Sequence, residues 1–308
     1  MHYGRRIRIY KESFSYKVFK VFNFIFMLII FAVMLLPYLH VLAKALNDGN
    51  DTMLGGLTIY PRKLTFANFA ALFRDHTMIE SAIISIVRVV VGTVLSVATQ
   101  FAAAYALSKR SLFGRSKIML FLAIPMFFSG GIIPTYILYV HMGLINNFWV
   151  YILPGLCSYY NVMIIQSYIE SSVPGNLREA ALLDGAGEFT TMYKIVFPLC
   201  KPVVATVALW LAVYHWNDWN STLMYVTKEK LFTLQYKLMQ LIKESERLQK
   251  LMQDAAMTGQ TASAMKNIKS TPDSMISAQV IVTTLPIIAV YPFLQKYFMK
   301  GITLGAVK

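Results

Sequence analysis

The chain reads Glu179-Ala180-Ala181-Leu182-Leu183-Asp184-Gly185-Ala186-Gly187, then Ile195-Val196-Phe197-Pro198, at a polar island between two apolar runs. Pro174 precedes this island and suits a first helical turn, because its missing N–H would have no intrahelical partner there. Gly185 and Gly187 can adopt the left-handed conformation that ends a helix. We therefore predict a helix of about three turns that begins near residue 173 and ends at these glycines.

The predicted helix places four residues in a stripe on one face, at the spacing i, i+3, i+4 and i+7. The stripe consists of Leu177, Ala180, Ala181 and Asp184. Alanines let another backbone approach closely, and the acidic edge suits basic or amide groups on a partner. We expect this helix to fit a groove on another chain.

The composition excludes a soluble globular protein. The chain has 308 residues, of which 56% are hydrophobic and 14% are charged, and its mean hydropathy is +0.53. The formal charge of +14 does not indicate nucleic-acid binding, because the basic residues cluster in short loops beside apolar runs. The sequence therefore predicts an all-α polytopic membrane protein.

Six apolar stretches are each long enough to cross a bilayer as a helix. They cover residues 21–44, 79–107, 117–140, 147–169, 200–225 and 276–297, with Ser129-Gly130-Gly131 interrupting the third. The first is too long for the core of a signal peptide. We predict one six-helix membrane domain over residues 21–298.

Basic residues set the orientation of these stretches. They concentrate in the N-terminal segment 1–20, the loop at 109–117, the polar island within 171–198 and the tail 299–308. By the positive-inside rule all of these, including both termini, are predicted to be cytoplasmic. The segment 226–275 is then external, and its helical spacing from Leu234 to Met257 predicts an external helix.

At the polar island the chain resembles the EAA loop of ABC importer permeases, the cytoplasmic segment that docks on the ATPase. The residues that carry the resemblance are Glu179, Ala180, Ala181, Gly185, Ile195 and Pro198, with Phe197 where the family usually has Leu. The run Asp184-Gly185-Ala186 and the ending over 300–308 resemble the carbohydrate-uptake branch, of the maltose-permease type. This is the group of binding-protein-dependent transport system inner membrane components.

The resemblance implies a set of ATPase-coupling residues, namely Leu177, Glu179, Ala180, Ala181, Asp184, Gly185 and Ala186. It also implies an ABC ATPase dimer, an extracytoplasmic solute-binding protein, a carbohydrate substrate and a location in the bacterial cytoplasmic membrane. One EAA-like loop and six spans make half of such an importer, so we expect a second, different permease subunit.

Sequence motifs for catalysis are missing from the chain. It contains no Gly-x-x-x-x-Gly-Lys-Ser/Thr loop, no His-Glu-x-x-His pair and no Gly-x-Ser-x-Gly elbow. We therefore expect no enzyme activity, no metal site and no cofactor on this chain. ATP and Mg would be bound by the partner ATPase.

Polar and aromatic residues within apolar stretches are candidates for a substrate path, because polar groups at that depth are costly unless they face protein or water. The candidates are Tyr159, Tyr160 and Asn161 in the fourth stretch, Trp216, Asn217 and Asp218 in the fifth, and Arg88 in the second. Aromatic rings stack on sugar rings and amides bind hydroxyls, which suits a carbohydrate path. The alternative for the tryptophans is an interfacial aromatic belt.

Depth along a continuous helix places Tyr160 and Asn161 near mid-membrane, about 13 residues into their stretch at 1.5 Å per residue. The same reasoning puts Arg88 at a depth similar to that of Asp218. We predict a structural ion pair between these two, with attraction of an acidic sugar by Arg88 as the alternative.

The function that these observations favour is a permease subunit that moves a carbohydrate, specifically an oligosaccharide, inward at the expense of ATP hydrolysed by its partners. The alternative from another class is an ion-coupled secondary transporter. Such a transporter needs acidic residues inside the membrane, and Asp218 is nearly the only candidate.

Overall fold

The computed structural model describes residues 13–257 and 271–305. Within these ranges the predicted all-α class is confirmed: there is no strand, and an isolated bridge pairs Asn47 with Leu64. The α-helices are α1 (Phe14–Ala45), α2 (Gly49–Met53), α3 (Ala67–Arg74), α4 (His76–Leu107), α5 (Arg115–Phe127), α6 (Ile132–His141), α7 (Tyr159–Ser172), α8 (Gly175–Leu183), α9 (Glu188–Thr190), α10 (Phe197–Leu199), α11 (Lys201–Asn217), α12 (Asn220–Tyr225), α13 (Leu234–Met257) and α14 (Pro272–Gly305). Short 3₁₀ turns cover Phe148–Tyr151, Leu153–Gly155 and Glu229–Leu231, and Thr191–Val196 is a π-helix.

The chain divides into two compact units. One comprises Met1–Phe69 with Ser263–Ile281, and the other comprises Ala70–Ala262 with Val282–Lys308. The predicted division at residues 20 and 298 stays a prediction. Parts of the predicted N-terminal segment, external loop and C-terminal tail lie outside the described residues.

Buried asparagines organise the smaller unit after α1. Asn47 Nδ2 donates to Asp51 Oδ2 at 2.9 Å, and Asn47 Oδ1 accepts from the Lys63 N–H at 2.7 Å. Asn68 Nδ2 donates to the carbonyls of Ala45 and Asn47 at 2.9 and 2.8 Å. Because a buried amide is costly without partners, these bonds fix the path of the chain where it leaves α1.

The larger unit is built on α4, α7 and α11, which share an apolar core. Its most buried members are Ala104 of α4, Val162, Ile165 and Ile169 of α7, Val207 of α11, and Val196 and Cys200 just before α11. Within a bilayer such helices are held together by the close packing of their side chains, because lipid is as apolar as the core itself. This core supports the loop that contains α8.

Among the described residues, three helical segments are long and apolar enough to cross a membrane alone: α1, α4 and Pro272–Val290 of α14. Three further segments qualify only as bent pairs. These pairs are α5 with α6, the turns at Phe148–Gly155 with α7, and Glu188–Leu199 with α11, bent by 116°, 48° and 86°. The predicted six crossings require that each bent pair counts once, so the number stays a prediction.

The third stretch is interrupted where the sequence predicts it. α5 ends at Phe127 and α6 begins at Ile132, with Gly131 at φ +87° between them. The fourth stretch differs from the prediction, which treated it as one helix over 147–169. Pro154 lies in a 3₁₀ turn, and a regular helix starts only at Tyr159, because proline lacks an N–H and its ring blocks the preceding turn.

The fifth stretch also breaks, so its prediction as one helix over 200–225 is wrong. α11 ends at Asn217, Asp218 is extended at φ −76° and ψ 101°, and α12 begins at Asn220. The helix predicted from Leu234 to Met257 is confirmed with the same bounds as α13, and its external location stays a prediction.

Candidate coupling loop and membrane path

The polar island forms the short helix α8, which begins at Gly175 and ends at Leu183. Nine residues make two and a half turns, slightly less than predicted, because Pro174 is the N-cap and does not join the first turn. The C-terminus is a Schellman motif: the Ala186 N–H bonds to the Ala181 carbonyl at 2.9 Å and the Gly185 N–H to the Leu182 carbonyl at 3.1 Å.

Gly185 adopts φ +78°, as the sequence predicts for the residue that ends the helix. Gly187 does not: its φ is −68°, so the prediction of a left-handed residue there is wrong. The Schellman motif needs only one left-handed position, and Gly187 instead precedes the next helix as its N-cap.

α8 buries little of its surface. Of the predicted stripe only Ala181 is buried, whereas Leu177, Ala180 and Asp184 are exposed. Glu179 is exposed as well, and Ala186 is half-buried. The coupling assignment of these residues therefore stays a prediction, on a helix that is free to meet a partner.

Two large apolar side chains, one at the end of α8 and one in α9, are strongly exposed. Leu183 is 89% exposed and Phe189 is 78% exposed. Neither was among the predicted site residues, although their position in a polar island between apolar runs is a usable signal. Both are candidates for contact with another molecule.

The loop that contains α8 is attached to the C-terminal end of α4 by polar contacts on both sides of Gly185. Arg178 Nη1 donates to Ser108 Oγ at 3.1 Å. On the other side, Glu188 forms an ion pair with Lys109 and accepts a hydrogen bond from Tyr105 Oη at 2.8 Å. The Lys109 ammonium group and the Tyr105 hydroxyl lower the pKa of Glu188, because both stabilise its charged form.

A second contact joins the same end of α4 to α7. Arg115 Nε donates to the Leu107 carbonyl at 2.6 Å, and Arg115 Nη2 pairs with Glu170 at 2.5 Å. Gln166 also donates to Glu170, at 3.0 Å. These contacts border a polar cavity of about 530 Å³ that α8 and the end of α4 line together.

Arg88 and Asp218 form the predicted ion pair, which is confirmed. Arg88 Nη1 also donates to the Asp218 carbonyl at 2.8 Å, and the guanidinium carbon lies 4.5 Å from the centre of the Tyr151 ring. Asp218 Oδ1 accepts from the Ser221 N–H at 3.1 Å, which starts α12. α11 thus ends here because the Asp218 carboxylate pairs with Arg88 and also accepts the Ser221 N–H at the start of α12.

The remaining path candidates divide into buried and exposed residues. Tyr159, Asn161 and Trp216 are each 8% exposed, and the Trp216 indole N–H donates to the Thr283 carbonyl at 2.9 Å. Tyr160 is 53% exposed, and Asn217 is exposed. The depth estimate for Tyr160 and Asn161 is wrong in its premise, because both lie in the first turn of α7 rather than midway along a helix. Their role in substrate passage stays a prediction.

His215 is a buried polar residue in the same run of the fifth stretch as the path candidates Trp216 and Asn217. It is 1% exposed, and neither ring nitrogen has a hydrogen-bond partner among the described residues. Its ring packs on Gly92 of α4, where an added Cβ would lie 2.6 Å from Nε2. Only glycine at position 92 allows α4 and α11 this close approach.

The described residues contain no group of three or more His, Cys, Asp or Glu side chains that could hold a metal ion. Cys157 and Cys200 are free thiols.

Comparison with known proteins gives a consistent result. The model of the family described as binding-protein-dependent transport system inner membrane component matches residues 92–304. Protein LplC of Bacillus subtilis (strain 168) is 34% identical over 292 residues, covering 95% of both chains. The polygalacturonan/rhamnogalacturonan transport system permease protein YtcP of the same strain is 30% identical over 95% of this chain and 99% of its own.

A solved structure is similar over nearly the whole chain. It is the crystal structure of a bacterial ABC transporter involved in the import of the acidic polysaccharide alginate. The match has a TM-score of 0.82 at 27% sequence identity, and covers 94% of this chain and 99% of that one.

Proposed function

Because the chain belongs to the family of binding-protein-dependent transport system inner membrane components, we propose that it forms one half of the membrane path of a carbohydrate importer. Membership confirms the family that the EAA-like residues indicate. The chain is a permease subunit of an ABC importer, a transport component and not an enzyme. The alternative of an ion-coupled secondary transporter is not favoured.

The partners follow from that role. A permease of this family works with an ATPase and a solute-binding protein. In our proposal the ATPase is a dimer that binds the ATP and Mg, and a second, different permease subunit completes the path. Both termini and the loop that contains α8 face the cytoplasm, and α13 faces the outside, where the binding protein docks. The basic residues beside the apolar stretches support this orientation.

The exposed surface of α8 is the observation that carries the proposal. Glu179, Leu183 and Phe189 are all exposed on a loop whose two ends belong to the apolar core of the larger unit. Glu179 and Leu183 lie four residues apart on α8 and so share one face of it, and an acidic residue beside an uncovered apolar side chain suits a groove with an apolar floor and a basic rim. The ATPase supplies that groove in our proposal.

The proposed substrate is an oligosaccharide. YtcP is named for a polygalacturonan and rhamnogalacturonan transport system, and the similar solved structure is that of a transporter involved in the import of alginate, so both relatives handle polymers of sugars. Tyr160 and Asn217 are the exposed candidates for sugar contact, since a ring and an amide can reach a passing sugar only from an accessible position. Arg88 is a poor candidate for attracting an acidic sugar, because Asp218 already neutralises its charge.

The docking surface is tested by co-purification of the ATPase with tagged permease. Glu179→Lys reverses the acidic charge, and Leu183→Asp places a charge in the apolar patch. Burying a leucine side chain contributes about 1.5–3 kcal/mol, so Leu183→Asp should weaken ATPase retention roughly tenfold or more. Glu246→Lys, the same charge reversal on the exposed side of α13, is the matched control and should retain the ATPase.

Retention of the ATPase and parental uptake in both α8 variants would refute the docking role. Equal loss in Glu246→Lys would show that the effect is one of charge or folding, and not of docking. Uptake of labelled oligosaccharides by cells that express the whole importer tests the substrate class, and growth-linked uptake of unrelated solutes alone would contradict it.

A further inference from the structure

The loop that contains α8 contacts the C-terminal end of α4 at two separate points. At the first point Arg178 donates a hydrogen bond to Ser108 Oγ, and the Ser108 hydroxyl donates in turn to the Tyr105 carbonyl at 2.7 Å. At the second point Glu188 forms an ion pair with Lys109 and accepts a hydrogen bond from the Tyr105 hydroxyl. We call these contacts the α4 clasp. They lie on either side of the left-handed turn at Gly185, so they hold both ends of the turn.

The clasp is anchored in a rigid part of the molecule. Ser108 is 2% exposed and Tyr105 is 6% exposed, and both sit at the end of a helix whose last turns belong to the apolar core. The Lys109 ammonium group also lies 4.7 Å from the centre of the Tyr105 ring, which adds a cation–π contact. A displacement of Arg178 or Glu188 must therefore act on α4.

α4 connects the clasp to the buried ion pair. Arg88 lies 19 residues before Leu107 on the same uninterrupted helix, which corresponds to about 28 Å. α4 contains no proline and no break, so an uninterrupted ladder of helical turns connects the clasp to Arg88. Arg88, in the N-terminal half of α4, holds Asp218 at the break between α11 and α12.

We propose that Arg178 and Glu188 are positioning residues that transmit movement of the docked ATPase through the α4 clasp to α4, and from there to the break at Asp218. This proposal rests on the proposed function, because it needs α8 to dock on the ATPase. It adds a separate role: these two residues do not bind the ATPase, and they couple its movement to the membrane helices.

The partly exposed position of the pair makes the proposal testable. The side chains of Lys109 and Glu188 are 26% and 55% exposed, so their loss should leave folding intact. The test uses the complete importer in proteoliposomes, with its partner permease, ATPase and binding protein. Three properties are measured: ATPase co-purification, ATP hydrolysis, and solute transported per ATP.

The variants are Lys109→Glu, Glu188→Lys and the double exchange. Each single variant should retain the ATPase as the parental chain does and lower transport per ATP by about fivefold or more, the lower end of typical coupling between sites. The double exchange recreates the ion pair in the opposite sense and should restore most of the coupling. Tyr105→Phe removes one hydrogen bond and should have a smaller effect in the same direction.

Parental transport per ATP in both single variants would overturn the proposal, as would a double exchange that behaves no better than the singles. Loss of the ATPase from Glu188→Lys would assign Glu188 to the docking surface instead and also overturn it. Failure of the parental chain to retain any ATPase would refute the proposed function itself, and the coupling role with it.

Discussion

Removal of the Asp218 carboxylate should destabilise the protein strongly, because it strands a buried charge. Arg88 is 1% exposed, and its contacts are the Asp218 carboxylate, the Asp218 carbonyl and the Tyr151 ring. Its Nε has no partner among the described residues. In Asp218→Ala the guanidinium would keep one carbonyl and one ring. Breaking a buried pair in this way costs about 3–5 kcal/mol.

Arg88→Met should cost less than Asp218→Ala. Methionine fills part of the same space without a charge, and the carboxylate left behind keeps the Ser221 N–H and is 12% exposed. In the double variant neither charge remains, so its stability should be close to that of Arg88→Met alone. The interaction energy from this cycle should therefore be close in magnitude to the cost of Asp218→Ala, about 3–5 kcal/mol.

The assay is thermal unfolding of the purified protein in detergent, followed by uptake in cells. Asp218→Ala should lower Tm by roughly 10 °C relative to the parental protein. Effects of the two single variants that add within about 0.5 kcal/mol would refute the reasoning. A double variant that folds but no longer transports would favour the alternative that Arg88 attracts an acidic sugar.

Two further predictions concern packing and orientation. Gly92→Ala should cost about 1–3 kcal/mol, because its Cβ would push into the buried His215 ring, and Gly130→Ala, where a Cβ meets its nearest neighbour at 3.7 Å, should not; Tm of the two variants checks this. In a cysteine-free background, a cysteine at exposed position Glu246 should react with an impermeant maleimide from outside intact cells, whereas one at exposed Ser111 should react only after the membrane is opened. The reverse labelling pattern would contradict the orientation.

Long regular helices could be predicted closely from the sequence. The bounds of α13 follow from helical spacing, and α4 begins three residues before the predicted start and ends at the predicted residue. The ion pair of Arg88 with Asp218 could also be predicted, since two opposite charges in apolar stretches have few other partners.

Breaks within apolar stretches could not be predicted from hydropathy. Pro154 lies within a 3₁₀ turn and Asp218 follows the last residue of α11, yet the residues around them remain apolar enough to suggest continuity. A sliding hydropathy window measures how apolar a stretch is and does not detect which backbone groups are bonded. The depth assigned to Tyr160 and Asn161 failed for this reason.

The α4 clasp could not be predicted because its partners are far apart in sequence. Glu188 lies 79 residues after Lys109, and Arg178 lies 70 after Ser108. Local spacing gives no information on such pairs. Charged residues beside apolar stretches are used to predict the orientation of a chain in the membrane. Such a residue can also form an ion pair with a residue that is distant in sequence, as Lys109 and Glu188 do.

The π-helix at Thr191–Val196 makes the length of its segment as important as its residues. It lies between Glu188 and the 86° bend before α11. A π turn holds one residue more than an ordinary helical turn, so removing one residue there would convert it to an ordinary turn and leave the residues on either side in register. Removing a second residue would rotate Glu188 by about 100° and shift it by about 1.5 Å relative to α11, and Glu188 would then point away from Lys109 with its own chemistry unchanged. Among relatives, a single deletion in this turn should therefore be tolerated far more readily than a double one.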